Sequence, residues 1–340
     1  TVGYAPKNTY LGDLRWETTG QWNVGLDLAL LNNRIRLTAD YYHKKTTNLL
    51  NDVEMPRSSG YTTALRNVGA IRNAGVELQL DTRIIDKAVK WDFGVNLSVN
   101  RSKVLSLSDG KDIFGSTVSN TIISDQLNLM RIGEPMYVFY GYVEEGYDDN
   151  GQLVYKDLDG SDGITPADKT IIGNPNPDCL LNFNTAVSYK GFTLSAFFQG
   201  SIGNDIYSLS MASAAYDYSS NANTLREVLY NHWTPEKPDA KYPNLRQDIA
   251  LKMSDRFVYD GSYMRLKNLE LSYNIPCSKS RVISKARVYV SAQNLWTITS
   301  YPFWDPDVNA KGGSTSLAQG IDASCYPGAR TFTLGCRLVF

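Results

Sequence analysis

The feature of this sequence that most constrains its fold is an alternation of apolar and polar side chains, repeated in nine segments joined by connections of two very different lengths. Successive side chains of a strand point to opposite faces, so such alternation describes a sheet with one apolar and one polar face. A single strand of this kind also suits a soluble core. Nine of them, each about ten to fourteen residues long, do not resemble soluble strands, which typically run to about five or six.

The first segment, Gly20 to Leu31, sets Trp22, Val24, Leu26, Leu28 and Leu30 against Asn23, Gly25, Asp27 and Ala29. After Asn32 and Asn33, the second sets Ile35, Leu37, Ala39 and Tyr41 against Arg34, Arg36, Thr38 and Asp40. Ala74, Val76, Leu78, Leu80 and Ile84 then oppose Glu77, Gln79, Asp81 and Arg83. Past Asp86 and Lys87, Trp91, Phe93, Val95, Leu97 and Val99 oppose Asp92, Asn96, Ser98 and Asn100. A third hairpin pivots on Lys190 and Gly191, joining the segment with Leu181, Phe183, Val187 and Tyr189 to the one with Phe192, Leu194, Ala196 and Phe198. A fourth joins Leu269, Leu271, Tyr273 and Ile275 to Val288, Val290 and Ala292 across Pro276 to Lys285, and the ninth segment carries Phe332, Leu334, Cys336, Leu338 and Phe340.

A tilted strand needs roughly nine to eleven residues to cross a bilayer, which these segments supply. Short turns follow the odd segments, and longer stretches rich in Gly, Ser, Asn, Asp and Tyr follow the even ones. Outer-membrane barrels place short turns on the periplasmic side and long loops outside. The expected fold is therefore all-β: a transmembrane antiparallel β-barrel wall of nine strands with long extracellular loops. Trp91, Tyr189, Phe192, Tyr273 and Phe340 then fall at the periplasmic interface, and Trp22 and Tyr41 at the outer one, as paired aromatic girdles require.

Composition excludes some alternatives. The chain is 42% hydrophobic with a formal net charge of -1, which disfavours nucleic acid as a partner. It has no apolar run of the roughly eighteen residues that suggest a transmembrane helix. Its four cysteines, Cys179, Cys277, Cys325 and Cys336, show neither metal spacing nor adjacent pairing. His43 and His232 suggest no nucleophile-base constellation, so the chain is not expected to be an enzyme.

Single-chain bacterial barrels have even strand numbers, and an open sheet edge cannot face lipid. The expectation is that residues 1–340 form the C-terminal portion of a larger barrel, with further strands preceding Thr1.

Particular wording adds to the periodicity. The segments LRWETTGQWNVGLDLALLNNRIRLTADYYHKKTTNLL, RNVGAIRNAGVELQLDTRI, RIGEPMYVFYGYVEEG, HWTPEKPDAKYPNL, GSYMRLKNLELSYNIP and ARVYVSAQNLWTITSYPFWDPDV resemble, in order and over nearly the whole chain, the SusC/RagA family of TonB-dependent outer-membrane transporters. The resemblance implies a barrel of about twenty-two strands, a plug domain and TonB box before Thr1, and a cell outer membrane of the Bacteroides type. It implies as partners a SusD-like surface lipoprotein, the TonB-ExbB-ExbD complex, outer-membrane lipid and an oligosaccharide or peptide substrate. No cofactor is required. A passive porin or a soluble β-rich carbohydrate-binding protein are the competing classes.

Two groups of residues are candidate sites. Asp157, Asp159, Ser161, Asp162 and Asp168 occupy positions 1, 3, 5, 6 and 12 of a twelve-residue loop that resembles an EF-hand and suggests a structural Ca²⁺. Its glycine falls at position 7 rather than 6, and position 12 is Asp rather than Glu, so a solvated Asp/Gly-rich turn is the alternative. Tyr216, Tyr218, Trp233, Tyr301, Phe303 and Trp304 lie in the long loops. They are suited to stacking on substrate, to partner contact or to packing the loops together. Arg34, Arg36, Asp40, Glu77, Asp81, Arg83, Arg287 and Arg337 share the lumen parity and are expected to pair with one another or to hold a plug.

Overall fold

The computed structural model describes residues 14–55, 57–61, 63–108, 110–218, 223–245, 251–277, 282–308 and 319–340. Its principal element is a nine-stranded antiparallel sheet in which every strand pairs with its neighbours in the chain. The strands are β1 (Thr18–Leu30), β2 (Ile35–Glu54), β3 (Thr63–Asp86), β4 (Val89–Leu107), β5 (Cys179–Tyr189), β6 (Phe192–Ile202), β7 (Tyr263–Ile275), β8 (Lys285–Thr299) and β9 (Thr331–Val339). All nine alternating segments are strands of this one sheet. No described helix is long and apolar enough to cross a membrane.

The tight turns follow from local chemistry. Leu31, Asn32 and Asn33 take φ values of 53°, 55° and 64°, a left-handed region that asparagine tolerates well. Lys190 and Gly191, with φ of 47° and 89°, form the two-residue reversal between β5 and β6. Positive φ at both central residues matches the twist of the flanking strands.

Register gathers rows of apolar side chains on one face of the sheet. Leu28 opposes Leu37, Leu37 opposes Leu80 and Leu80 opposes Val95. The row continues through Phe183, Phe198, Leu266 and Trp296. Many side chains on this face are exposed, among them Leu28 and Trp296 of this row and, elsewhere on it, Leu194 and Leu271 by half their surface. A soluble sheet would not leave such a face bare, whereas lipid covers it. A bulge at Lys267 shifts the parity of β7, so that Leu266 and Leu269 both meet outward partners.

The opposite face is polar and carries glycines under aromatic rings. An added Cβ at Gly335 would lie 2.2 Å from the ring of Tyr289, its cross-strand partner. Tyr42 covers Gly75 in the same way. Ring over glycine pins register where no side chain is available to pack.

One connection is shorter than the alternation suggests. Strands β2 and β3 run to 20 and 24 residues and leave only 55–62 between them. Above the membrane the polarity of the two faces reverses. Ile71, Val104 and Leu107 turn inward, where Met130 and partly buried Ile113 and Met136 cover them, while Lys45 and Lys103 point outward and exposed.

The remaining long connections, 108–178, 203–262 and 300–330, fold together. Residues 205–208 pair antiparallel with 258–260 and parallel with 321–322, joining the second connection to the third. Tyr142 bridges Ser254, joining the first to the second. Helix α1 (Leu209–Tyr216) is capped by Ser208, whose hydroxyl accepts from the Met211 N–H. It lies in a core containing Phe139, Tyr207, Tyr216, Tyr242, Met253, Phe257 and Ile321, drawn from all three connections.

Candidate functional site

Two surfaces on this framework can meet a solute: the polar face of the wall and the folded cap above it. On the wall, Thr38 donates to Asp27 at 2.7 Å, Gln79 to Asp81 at 2.8 Å and Tyr42 to Asn100 at 2.9 Å. Near the short turns a concavity of about 590 Å³ is lined by Arg36, Asp81, Asp92, Asn184 and Asn268. Of the lumen charges, Arg83 pairs with Asp92 at 2.7 Å and Arg287 pairs with Glu270. Arg34 instead donates to the backbone carbonyls of Arg83 and Ile84. Arg36, Asp40, Glu77 and Arg337 make no ion pair among the described residues and present open charge to the lumen.

The cap is tied by buried charge. Arg256 forms a two-pronged ion pair with Glu144, both nearly buried. The same guanidinium donates to the Tyr216 hydroxyl at 2.9 Å, the Tyr147 hydroxyl at 3.0 Å and the Lys241 carbonyl at 2.8 Å. Burial pushes the Arg256 guanidinium down to about 10, so it stays charged at neutral pH. Arg265 on β7 pairs with Asp305, with side chains only 5% and 11% exposed. Asp305 in turn accepts the N–H groups of Asp307 and Gly328. The third connection is thereby riveted to the wall.

The six aromatic candidates have different fates. Tyr216 is buried against Tyr242 and Phe257, and burial raises its hydroxyl pKa. Tyr218 packs half-buried on the same core. Trp233 is buried over Gly151, where an added Cβ would lie 2.5 Å from its ring. Tyr301 is buried and donates to Asp322 at 2.6 Å; burial and that carboxylate raise its pKa. Phe303 stacks on Trp304 with centroids 5.1 Å apart, and Trp304, 64% exposed, is the member of the group most open to a partner.

The acidic loop converges in part. Ligand oxygens of Asp157, Asp159 and Asp168 lie within 4.8 Å of one another, and Asp162 stands outside that group; the Ser161 hydroxyl is 3.5 Å from the Gly163 carbonyl. Asp168 is fully buried. Its Oδ1 accepts from the Leu158 and Asp159 N–H groups and its Oδ2 from the Thr165 N–H. Those bonds hold the carboxyl down to about 2. Asp157 and Asp159 are the described residues with oxygens best placed for a cation, and Ca²⁺ would require further oxygens to reach its usual six to eight.

The two histidines are held by neighbouring groups. His43 stacks on Trp22, and His232 Nδ1 lies 2.9 Å from the Leu229 carbonyl.

The residues that sequence reasoning missed are Glu144, Arg256, Arg265 and Asp305. Their partners lie 112 and 40 positions apart, beyond any local period. A signal was nonetheless present: Glu144 lies in RIGEPMYVFYGYVEEG, Arg265 in GSYMRLKN and Asp305 in PFWDPDV, all wording that carried the family resemblance.

Comparison with known proteins agrees with this geometry. Residues 2–295 match the family described as TonB dependent receptor-like, beta-barrel. TonB-dependent receptor P3 of Formosa agariphila is 35% identical over 352 residues, covering 96% of this chain and 34% of that receptor. TonB-dependent receptor SusC of Bacteroides thetaiotaomicron is 30% identical over 342 residues, covering 96% of this chain and 32% of its own length. A solved structure of the RagAB peptide transporter superposes with a TM-score of 0.82 at 27% identity, over 97% of this chain and 36% of the matched one. The chain thus spans about a third of the length of the relatives it matches. It belongs to the TonB dependent receptor-like β-barrel family and, within it, is of the SusC/RagA type.

Proposed function

We propose that residues 1–340 supply the C-terminal wall and outer cap of a TonB-dependent importer in the outer membrane of a Gram-negative bacterium of the Bacteroides type. The cargo is an oligosaccharide or a peptide, received together with a SusD-like surface lipoprotein. The TonB-ExbB-ExbD complex drives entry through a plug domain outside this sequence.

The observation that carries this reading is the cap. Three connections share one hydrophobic core on the long-loop side of an otherwise lipid-facing sheet. Loops ordered by a core of their own offer a firm seat to a lid, because little conformational entropy remains to be lost on docking. A cation taken by Asp157 and Asp159 would serve in the same sense, as a structural brace.

The test is performed in the native host with the full-length protein. An affinity tag should recover a surface lipoprotein, and uptake of labelled oligosaccharide or peptide should cease when TonB is deleted. Uptake that persists without TonB would establish a passive pore instead. Recovery of the barrel alone would remove the lipoprotein from the proposal.

A further inference from the structure

Above the outer aromatic row, the lipid-facing side of the sheet carries cations placed directly beside one another. Tyr41, Val76 and Val99 form the last apolar row across β2, β3 and β4. The next row is His43, Ala74 and Arg101, and the one above it is Lys45, Arg72 and Lys103. Like charges directly opposite on neighbouring strands repel, so this arrangement is unfavourable unless something neutralises it.

The described residues do not. Among the described residues no ion pair reaches Lys45, Arg72 or Lys103, and Arg72 Nε is shielded from solvent without a hydrogen-bond partner. Arg101 is occupied by Asp178 at 2.8 Å, which pins it from the loop side. Asp40 and Glu77, the carboxylates of these strands nearest to the cations in register, sit on the lumen face. Trp22 on β1 packs against both Tyr41 and His43, marking the boundary of the apolar belt.

Depth identifies the occupant. With a rise of about 3.4 Å per residue and a tilt near 40°, the two cationic rows stand roughly 5 and 10 Å above Tyr41, in the polar headgroup layer. The outer strands of the row are about 10 Å apart, wide enough for more than one anionic oxygen cluster.

We propose that Lys45, Arg72 and Lys103 form a binding site for a phosphorylated lipid headgroup of the outer leaflet, whose acyl chains lie along the Val76 and Val99 surface below. The site faces lipid, away from the lumen and its cargo, and depends on the orientation assigned to the wall but not on which solute is imported.

The experiment uses the full-length transporter in detergent and titrates diphosphorylated lipid A, the same glycolipid without phosphates, and inorganic phosphate, read by native mass spectrometry. The triple variant Lys45→Gln, Arg72→Gln, Lys103→Gln should bind the diphosphorylated lipid on the order of a hundredfold more weakly, since each cation near an anionic surface contributes about fivefold. Lys44→Gln, on the lumen face, should bind as the parent does. Should the triple variant fail to show the heat-modifiable mobility of a folded barrel, Lys103→Glu alone provides the comparison, with the same direction of change. Equal binding of the phosphate-free lipid, or unchanged binding by the variants, would overturn the site. Competition by inorganic phosphate as strong as that by the lipid would assign it to free anions and overturn the lipid.

Discussion

Substituting arginine at Val95 tests the orientation of the entire wall. Val95 lies on the lipid face near mid-strand, opposed by Leu80 on one side and Phe183 on the other. A guanidinium there has no carboxylate on its own face, and Arg at the bilayer midplane costs about 2–4 kcal/mol. That alone lowers the folded-to-unfolded ratio by a factor of roughly 30 to 1,000, and the packing lost with the valine adds to it. The neighbouring change Asn96→Arg puts the same charge on the lumen face, between Gln79 and Asn182, and should cost less than about 1 kcal/mol. Depth supplies an internal control. Leu194 lies nearer the short turns, and Tyr273 stands at their interface, opposite Phe192; Leu194→Arg should be intermediate and Tyr273→Arg mild. Heat-modifiable migration of outer-membrane fractions measures folded yield, and urea titration of protein refolded in vesicles measures stability. Equal damage at Val95 and Asn96, or greater damage at Asn96, would refute the assignment of faces.

Glu144→Gln should leave Arg256 as an uncompensated buried charge and loosen the cap by about 3–5 kcal/mol; hydrogen exchange should rise in 138–147 and 251–260 while barrel mobility is unchanged. Arg265→Met should free Asp305 and expose 300–308 to limited proteolysis, with the strands intact. Gly335→Val would drive a side chain into the Tyr289 ring and should lower barrel stability by about 1–3 kcal/mol in urea. Asp168 is depressed from an ordinary carboxyl value of 3.8 to about 2. Its contribution to loop 157–169 is therefore present above pH 4 and lost as pH falls from about 4 through about 2. Proteolysis of that loop should be the same at pH 5 and pH 7, and Asp168→Ala should open it at both.

The wall was legible because a bilayer imposes one rule on every strand that crosses it. Trp22 to Leu30 and Phe332 to Phe340 obey that rule plainly, and their pairing partners follow from the turns. Legibility stopped where the membrane stops. Beyond Tyr41 the inward positions become apolar, as at Ile71 and Val104, and the outward ones charged, as at Lys45 and Lys103. The expected pattern is inverted there, and the upper halves of β2 and β3 read as loop. The cap left still less trace. Its strands are two to four residues long, too short for any period to show, and its core joins Leu127 to Ile321 through space alone. Tyr216 and Tyr301 could be recognised as important aromatics, yet only the fold distinguishes them from Trp304.

The wall and the cap also differ in when they can form. Each wall strand pairs with its neighbour in the chain, so the sheet can grow hairpin by hairpin with small loop-closure penalties at each step. The cap has no such order. Tyr207 sits after β6 but pairs with Ile321, which follows β8, and the core needs Phe139 from before β5 as well. Its closure must await delivery of the last long connection, which makes an ordered cap a built-in sign that the preceding strands have been threaded in their proper sequence.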